Sequence, residues 1–297
     1  MKNNLQEISV ALYELGLAPL SYAEKERYII DPRTSNFVIL KRQIESLGFG
    51  DVLGESLWQQ MRDGATKINL PYRTLIGEDT VACELQFTRS TNNNYFFNQY
   101  TVRLLGTEQN TNLPFKKQTI PVEYYDCANR SLSLEESYNL LKGKWVKKDV
   151  LYPDGIYYKD WQSYDFTMVN VSGNYRLQLM GKDRLFSTEQ AIASYPLADY
   201  GKHKSIGELC RSLDRGNVEE INVVLAIGAR VRLKVEANPA SGKLNFYNGN
   251  RRAILSRQGE LVTMSVNKPA FKQNLDLPGE RIIEDMNKKK VRKRIKR

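Results

Sequence analysis

His203, the single histidine of the chain, and Cys210, one of its three cysteines, are the residues whose types and spacing could support nucleophilic catalysis. A cysteine nucleophile needs a base within hydrogen-bond reach, and histidine is the usual base. His203, however, stands between two lysines in a polar connection, which predicts a solvated loop histidine. Cys210 lies near Leu209 and Leu213 on a predicted helix, which indicates a buried apolar side chain. We therefore favour structural roles for both residues, and the Cys–His nucleophile is the alternative.

A second group that could do chemistry is formed by four aspartates around a predicted hairpin: Asp149, Asp154, Asp160 and Asp165. Carboxylate oxygens bind hard metal ions, but this spacing is not that of a calcium-binding loop. Asp154 and the following glycine are typical of a turn, and Asp160 and Asp165 are interpreted as surface positions. The sequence GFGDVLG at 48–54 follows no predicted strand and lacks the Lys-Ser/Thr of a phosphate loop. We therefore predict no catalytic residues, no metal site, no cofactor and no enzymatic activity.

The last ten residues, KKKVRKRIKR, form a dense cluster of positive charge. The chain contains 44 lysines and arginines against 34 aspartates and glutamates, a net charge of +10, and eight of the cations lie in this segment. The rest of the chain is therefore close to neutral. Such a cluster favours salt-dependent contact with phosphates. The predicted nucleic-acid-binding residues are Lys288, Lys289, Lys290, Arg292, Lys293, Arg294, Lys296 and Arg297. The alternatives are a charged end without a partner and contact with an acidic protein or membrane surface.

Aromatic residues and lysines are interleaved over residues 144–166. Exposed aromatic rings can stack on bases while lysines contact phosphates, which makes Lys147, Lys148, Tyr157 and Trp161 a candidate secondary face for nucleic acid. Aromatic residues are equally typical of a half-buried sheet, where alternation places one set in the core. We favour core packing here, and the binding face is the alternative.

The elements that must position these residues begin with a helical region over residues 1–62. Apolar spacing predicts a first helix over 4–17 and, after the second helix, a short third helix in ESLWQQMRDG. Between them, SNFVILKRQIESLG predicts a helix with Phe37, Leu40, Ile44 and Leu47 on one face, ended by glycine.

Two sheet-then-helix units are predicted next, over residues 63–143 and 144–200. In the first, alternation in EDTVACELQF and YFFNQYTVRLLG predicts a hairpin, preceded by a strand at KINLPYRTL. Ser133 and Glu136 form a capping box for the helix that follows. In the second unit, a Ser-Gly-Asn turn joins two strands, and Ser187 begins the next helix.

A third capped helix, starting at Ser205, leads into strands at INVVLA, ARVRLKVEA and KLNFYN, all within residues 201–262. Residues 263–297 are predicted to be a linker and a disordered basic tail. The predicted fold class is α+β, with short antiparallel sheets of two to four strands alternating with single capped helices. Three widely spaced cysteines and the lack of a long apolar segment predict a cytoplasmic protein with reduced thiols.

Several blocks of the chain carry a family resemblance: YFFNQYTVRLL, EESYNLLKGKWVKKDV, YYKDWQSYDF, SLDRGNVEEINV and VRLKVEANPASGKLNFYN. In this order, over about residues 60–255, they resemble an uncharacterised bacterial domain family of unknown function, found on conjugative transposons and plasmids of gut anaerobes. The resemblance implies proximity to DNA transfer and maintenance machinery. It implies no catalytic or binding residues.

Together these features predict a non-enzymatic accessory protein of a mobile genetic element that contacts DNA or RNA through its basic tail. The alternative is a protein–protein interaction adaptor that uses its sheet edges, with a merely solubilising tail. The predicted partner is therefore nucleic acid, bound non-specifically and in a salt-dependent way. In the alternative, the partner is a protein. No membrane partner is predicted. The oligomeric state does not follow from the sequence.

Overall fold

The computed structural model describes four ranges of the chain: 32–105, 116–123, 130–184 and 186–264. These ranges contain five α-helices and 13 strands, and every strand pairing is antiparallel. The predicted α+β class is therefore confirmed. The helix predicted over 4–17, Cys127 and the basic segment 288–297 lie outside the described residues.

Two helices, α1 (Pro32–Ser46) and α2 (Gly54–Arg62), lie where the apolar spacing predicts them. Leu40, Ile44 and Leu47 are buried, as residues on one helical face should be. The chain leaves α1 through Gly48, whose φ of 90° lies in the left-handed region that favours glycine. Gly48 and Gly50 of GFGDVLG thus lie in the connection between the two helices, and Gly54 is the first residue of α2.

The first sheet has the strand order β1-β2-β3-β4. Its strands are β1 (Lys67–Ile76), β2 (Asp79–Arg89), β3 (Tyr95–Leu105) and β4 (Lys116–Pro121). The predicted hairpin is β2–β3, and β1 is the strand predicted before it. β4 has no counterpart in the prediction, because buried Gln118 interrupts the apolar alternation by which a strand is recognised. Gln118 is satisfied there, since its Oε1 accepts a hydrogen bond from the Tyr175 amide at 2.9 Å.

Helix α3 (Leu134–Leu141) begins at Ser133 with the predicted capping box. The second sheet follows, with the order β5-β6-β7. Its strands are β5 (Val146–Leu151), β6 (Tyr157–Val169) and β7 (Tyr175–Leu179), and the predicted turn joins the last two. β5 was not predicted, because it carries a buried lysine, Lys148, where alternation calls for an apolar residue.

The third sheet contains six strands, more than the two to four predicted, in the order β13-β12-β11-β10-β9-β8. Helices α4 (Thr188–Ala193) and α5 (Ile206–Asp214) begin at the predicted caps Ser187 and Ser205. The strands are β8 (Leu197–Asp199), β9 (Glu219–Val224), β10 (Arg230–Asn238), β11 (Lys243–Asn248), β12 (Arg251–Leu255) and β13 (Leu261–Thr263). The three unpredicted strands, β8, β12 and β13, have only 3, 5 and 3 residues, too few to display a period.

The described residues form two hydrophobic cores. The first consists of buried residues from the sequence range 40–164, and the second of buried residues from the range 192–255. Polar contacts join α3 to the end of α5, where Asn139 Nδ2 donates hydrogen bonds to the Arg215 carbonyl oxygen at 2.9 Å and to Asn217 Oδ1 at 2.7 Å. No helix within the described ranges is long and apolar enough to cross a membrane.

Candidate nucleic-acid interface

The outer face of the third sheet carries regularly spaced cations. Helices α4 and α5 pack on the opposite face, where Leu233 and Val235 of β10 are buried. Because side chains alternate between the two faces along a strand, Arg230, Arg232 and Lys234 lie together on the outer face. The two arginines are exposed and the lysine is half-buried. β10 therefore presents a row of three cations away from the core.

Positive charge is concentrated in this part of the sheet. Residues 230–257 contain seven lysines and arginines and one acidic residue, Glu236. A charge sum over the whole body does not reveal this concentration, because acidic residues elsewhere in the body compensate the cations. The available signal was the alternation of cations with Val and Leu in ARVRLKVEA, which predicts a cationic face on a strand.

Tyr247 lies at the centre of the cationic strands. It pairs with Lys234 of β10 on one side and with Arg252 of β12 on the other. Side chains paired directly across neighbouring strands lie about 5 Å apart. The Tyr247 hydroxyl donates to Glu236 Oε1 at 2.5 Å, and since Glu236 is a diagonal neighbour on β10, the half-buried side chain leans across the sheet. Burial and this carboxylate raise the pKa of Tyr247 to about 12.

Two arginines of this face have only weak contacts with neighbouring groups, whereas Lys234 is paired in register with acidic Glu220 of β9. Arg232 Nη1 lies 3.9 Å from Glu220 Oε2, and the two side chains are 72% and 56% exposed. Such an exposed pair contributes little free energy, so the guanidinium can exchange it for a phosphate. Arg252 Nη2 donates to Asn245 Oδ1 over 3.4 Å, which engages one of its five donors. We call Arg230, Arg232, Lys234, Tyr247 and Arg252 the cationic sheet face.

The predicted secondary face is not assembled as a surface. Trp161 is 2% exposed, and its Nε1 donates to the Phe186 carbonyl oxygen at 3.3 Å. Lys148 is 5% exposed, and its Nζ lies 2.9 Å from Glu136 Oε2, where the ion pair compensates the loss of hydration. The binding interpretation is therefore wrong for these two residues, and the core-packing interpretation is correct for Trp161.

The other two residues of the predicted secondary face lie apart. Lys147 pairs directly with Trp161 across β5 and β6, whereas Tyr157 pairs with Leu151 at the far end of the same hairpin. Lys147 Nζ lies 3.8 Å from Asp214 Oδ2. Tyr157 is 38% exposed, and the Arg130 guanidinium lies 3.9 Å from its ring centroid. The structure therefore does not bring Lys147 and Tyr157 into one site.

His203 is not the solvated histidine that its lysine neighbours predict. Its side chain is 12% exposed, and Nε2 lies 3.2 Å from Oε2 of buried Glu219, at an angle that does not make a hydrogen bond. Glu219 also accepts hydrogen bonds from Ser212 Oγ at 2.5 Å and Lys202 Nζ at 3.0 Å. Burial alone would raise the pKa of Glu219, but these contacts outweigh it and lower the pKa. This arrangement anchors the loop before α5 to β9.

Two other candidates for chemistry have structural surroundings. Asp160 is buried rather than on the surface, and its Oδ2 accepts hydrogen bonds from the Tyr152 hydroxyl at 2.5 Å and the Gly181 amide at 3.0 Å. Cys210 is buried as predicted, and burial raises the pKa of its thiol to about 11. At neutral pH this thiol is protonated and therefore a poor nucleophile.

The chain matches no protein-family model, no curated protein and no solved structure. The family resemblance of the sequence blocks therefore stays a prediction.

Proposed function

We propose that this chain is a non-enzymatic protein that binds nucleic acid non-specifically, through the cationic sheet face together with the basic segment 288–297. The observation that carries the proposal is the row Arg230, Arg232 and Lys234 on the face of a six-stranded sheet opposite to the one on which α4 and α5 pack. A sheet surface with several spaced cations suits a polyanion better than a small ligand, because each cation can contact a different phosphate. The predicted family resemblance would add to this proposal an accessory role in DNA transfer or maintenance.

The proposal is tested with the full chain in which Arg230 and Arg232 are both replaced by Gln. Binding to labelled oligonucleotides of about 15 nucleotides is followed by fluorescence anisotropy over a series of salt concentrations. We expect weaker binding at low salt and a log–log salt slope shallower by about 1 for each cation removed. Because both side chains are exposed, the thermal midpoint should stay unchanged.

The matched control replaces two exposed cations of the first sheet, Lys67 and Arg103, by Gln. This variant has the same net charge as the first but leaves the cationic sheet face intact. If both variants lost the same affinity, net charge alone would explain the loss, and a defined interface would be contradicted.

An interaction adaptor is the second candidate, and the exposed strand β7 favours it. β7 is an edge strand, and its Leu177 and Leu179 are 42% and 38% exposed. Edge strands with free backbone groups can accept a strand from a partner. Should the full chain retain no DNA and no RNA at low salt, nucleic-acid binding is wrong and the adaptor function takes its place.

A further inference from the structure

The position of Tyr247 between two cations distinguishes this surface from a simple basic patch. Lys234, Tyr247 and Arg252 form one row across three adjacent strands, with the aromatic ring in the middle. A tyrosine hydroxyl can donate to a phosphate, but the Tyr247 hydroxyl already donates to Glu236. A ring at this place contributes when an unpaired base stacks on it, since every base has a π-face.

Resting on the proposed function, we infer that the cationic sheet face takes single-stranded nucleic acid, whose phosphates contact the β10 cations while one base stacks on Tyr247. The bases of a duplex are stacked on each other and expose only their edges in the grooves. They cannot reach a ring that lies in a sheet surface. A duplex can therefore use the cations of this face but not its tyrosine.

The dimensions of the sheet favour the same ligand. Six strands about 4.8 Å apart make a surface of about 24 Å, measured across the strands, twice the width of a major groove of about 12 Å. The sheet therefore cannot enter the groove, and a rigid duplex touches only part of the face. Cations at alternate positions of β10 lie about 7 Å apart. A flexible single strand can follow this row and turn one base toward Tyr247.

The hydrogen bond of Tyr247 fits a stacking platform. Its hydroxyl is held by Glu236, which fixes the ring against the sheet before any ligand arrives. A ring that is already ordered loses little conformational entropy on binding. Glu236 also accepts a hydrogen bond from Asn245 Nδ2 at 3.0 Å, so the carboxylate that orients the ring is itself positioned.

The first experiment uses the unmodified full chain and compares single-stranded DNA, single-stranded RNA and duplex DNA of equal length in competition at one salt concentration. We expect at least tenfold tighter binding of one or both single strands than of the duplex, and the DNA and RNA arms identify which sugar is accepted. Equal or tighter binding of the duplex would overturn the inference.

The second experiment replaces Tyr247 by Leu and, as the matched control, by Phe. Loss of one stacked base should weaken single-strand binding by about 5- to 150-fold in Tyr247→Leu, while Tyr247→Phe keeps the ring and binds within a few-fold of the unmodified chain. Duplex binding, which the basic segment also supports, should change less than twofold in either variant. Stacking would be contradicted if Tyr247→Leu weakened the binding of single strand and duplex equally. It would also be contradicted if Tyr247→Leu kept its circular dichroism spectrum and bound the single strand as tightly as the unmodified chain.

The binding outcomes distinguish a wrong preference for single strands from a wrong assignment of nucleic-acid binding. If the unmodified chain binds neither ligand, the proposed function itself is wrong. If it binds both equally, and replacement of Arg230 and Arg232 weakens both, the interface stands and the preference for single strands is overturned.

Discussion

Glu219 is a buried carboxylate whose contacts connect β9 to α5 and to the loop before it. It is 3% exposed on β9, and its contacts with Ser212, Lys202 and His203 come from the loop before α5 and from α5 itself. Since the pKa of Glu219 is below its usual 4.5, its native contacts contribute stability above pH 4.5 that is lost as the pH falls through the lower folded pKa. We expect Glu219→Gln to lower the free energy of unfolding at pH 7 by about 1–3 kcal/mol, because a buried hydrogen-bonded charge is removed from its partners.

The pH dependence makes the Glu219 prediction specific. Urea unfolding between pH 7 and pH 3 should show a smaller loss of stability on acidification in Glu219→Gln than in the unmodified chain. Lys202→Gln is the matched control, since this lysine is 72% exposed and should contribute less than about 1 kcal/mol. Identical acid sensitivity of the unmodified chain and Glu219→Gln would show that this carboxylate does not govern acid stability.

At the start of α3, the same glutamate, Glu136, takes part in a helix cap and in a buried ion pair. Ser133 Oγ accepts from the Glu136 amide at 3.3 Å, and Glu136 Oε2 both accepts from the Ser133 amide at 2.8 Å and lies 2.9 Å from Lys148 Nζ. We expect Ser133→Ala to cost about 1 kcal/mol in denaturant unfolding, the usual loss for a cap. Ser133→Thr keeps the oxygen and should cost less. If alanine and threonine gave the same stability, the cap oxygen would have no energetic role.

The elements also show which parts of the fold follow from the sequence. Long alternating strands and capped helices are local patterns, so β2, β3 and the three caps could be predicted. β4 and β5 could not, because Gln118 and Lys148 are buried there against partners on other elements, Tyr175 of β7 and Glu136 of α3. For the candidate site, β10 was predicted, but its cationic face required knowing which side α4 and α5 cover. The row through Tyr247 required the register of β10, β11 and β12.

At the scale of the whole molecule, charge is segregated even though the body is nearly neutral. Residues 197–264 contain eleven lysines and arginines against seven aspartates and glutamates, and the last ten residues add eight cations and no acid. Both hydrophobic cores consist of residues between Leu40 and Leu255. The basic segment 288–297 therefore lies outside the part of the sequence that supplies the two cores. The cationic sheet face, in contrast, lies on strands that also supply residues to the second core.

This separation allows the two contributions to binding to be measured independently. On duplex DNA we expect a log–log salt slope of about −4 to −6 for the intact chain, since each neutralised phosphate contributes about −0.9. Deleting residues 288–297 should weaken non-specific binding and make the slope shallower, while the thermal midpoint stays unchanged because no core residue is removed. The binding that remains should disappear when Arg230→Gln and Arg232→Gln are added to the shortened chain. An unchanged slope after deletion would exclude the basic segment as a phosphate-binding element, and residual binding insensitive to both arginines would place the remaining contacts outside the cationic sheet face.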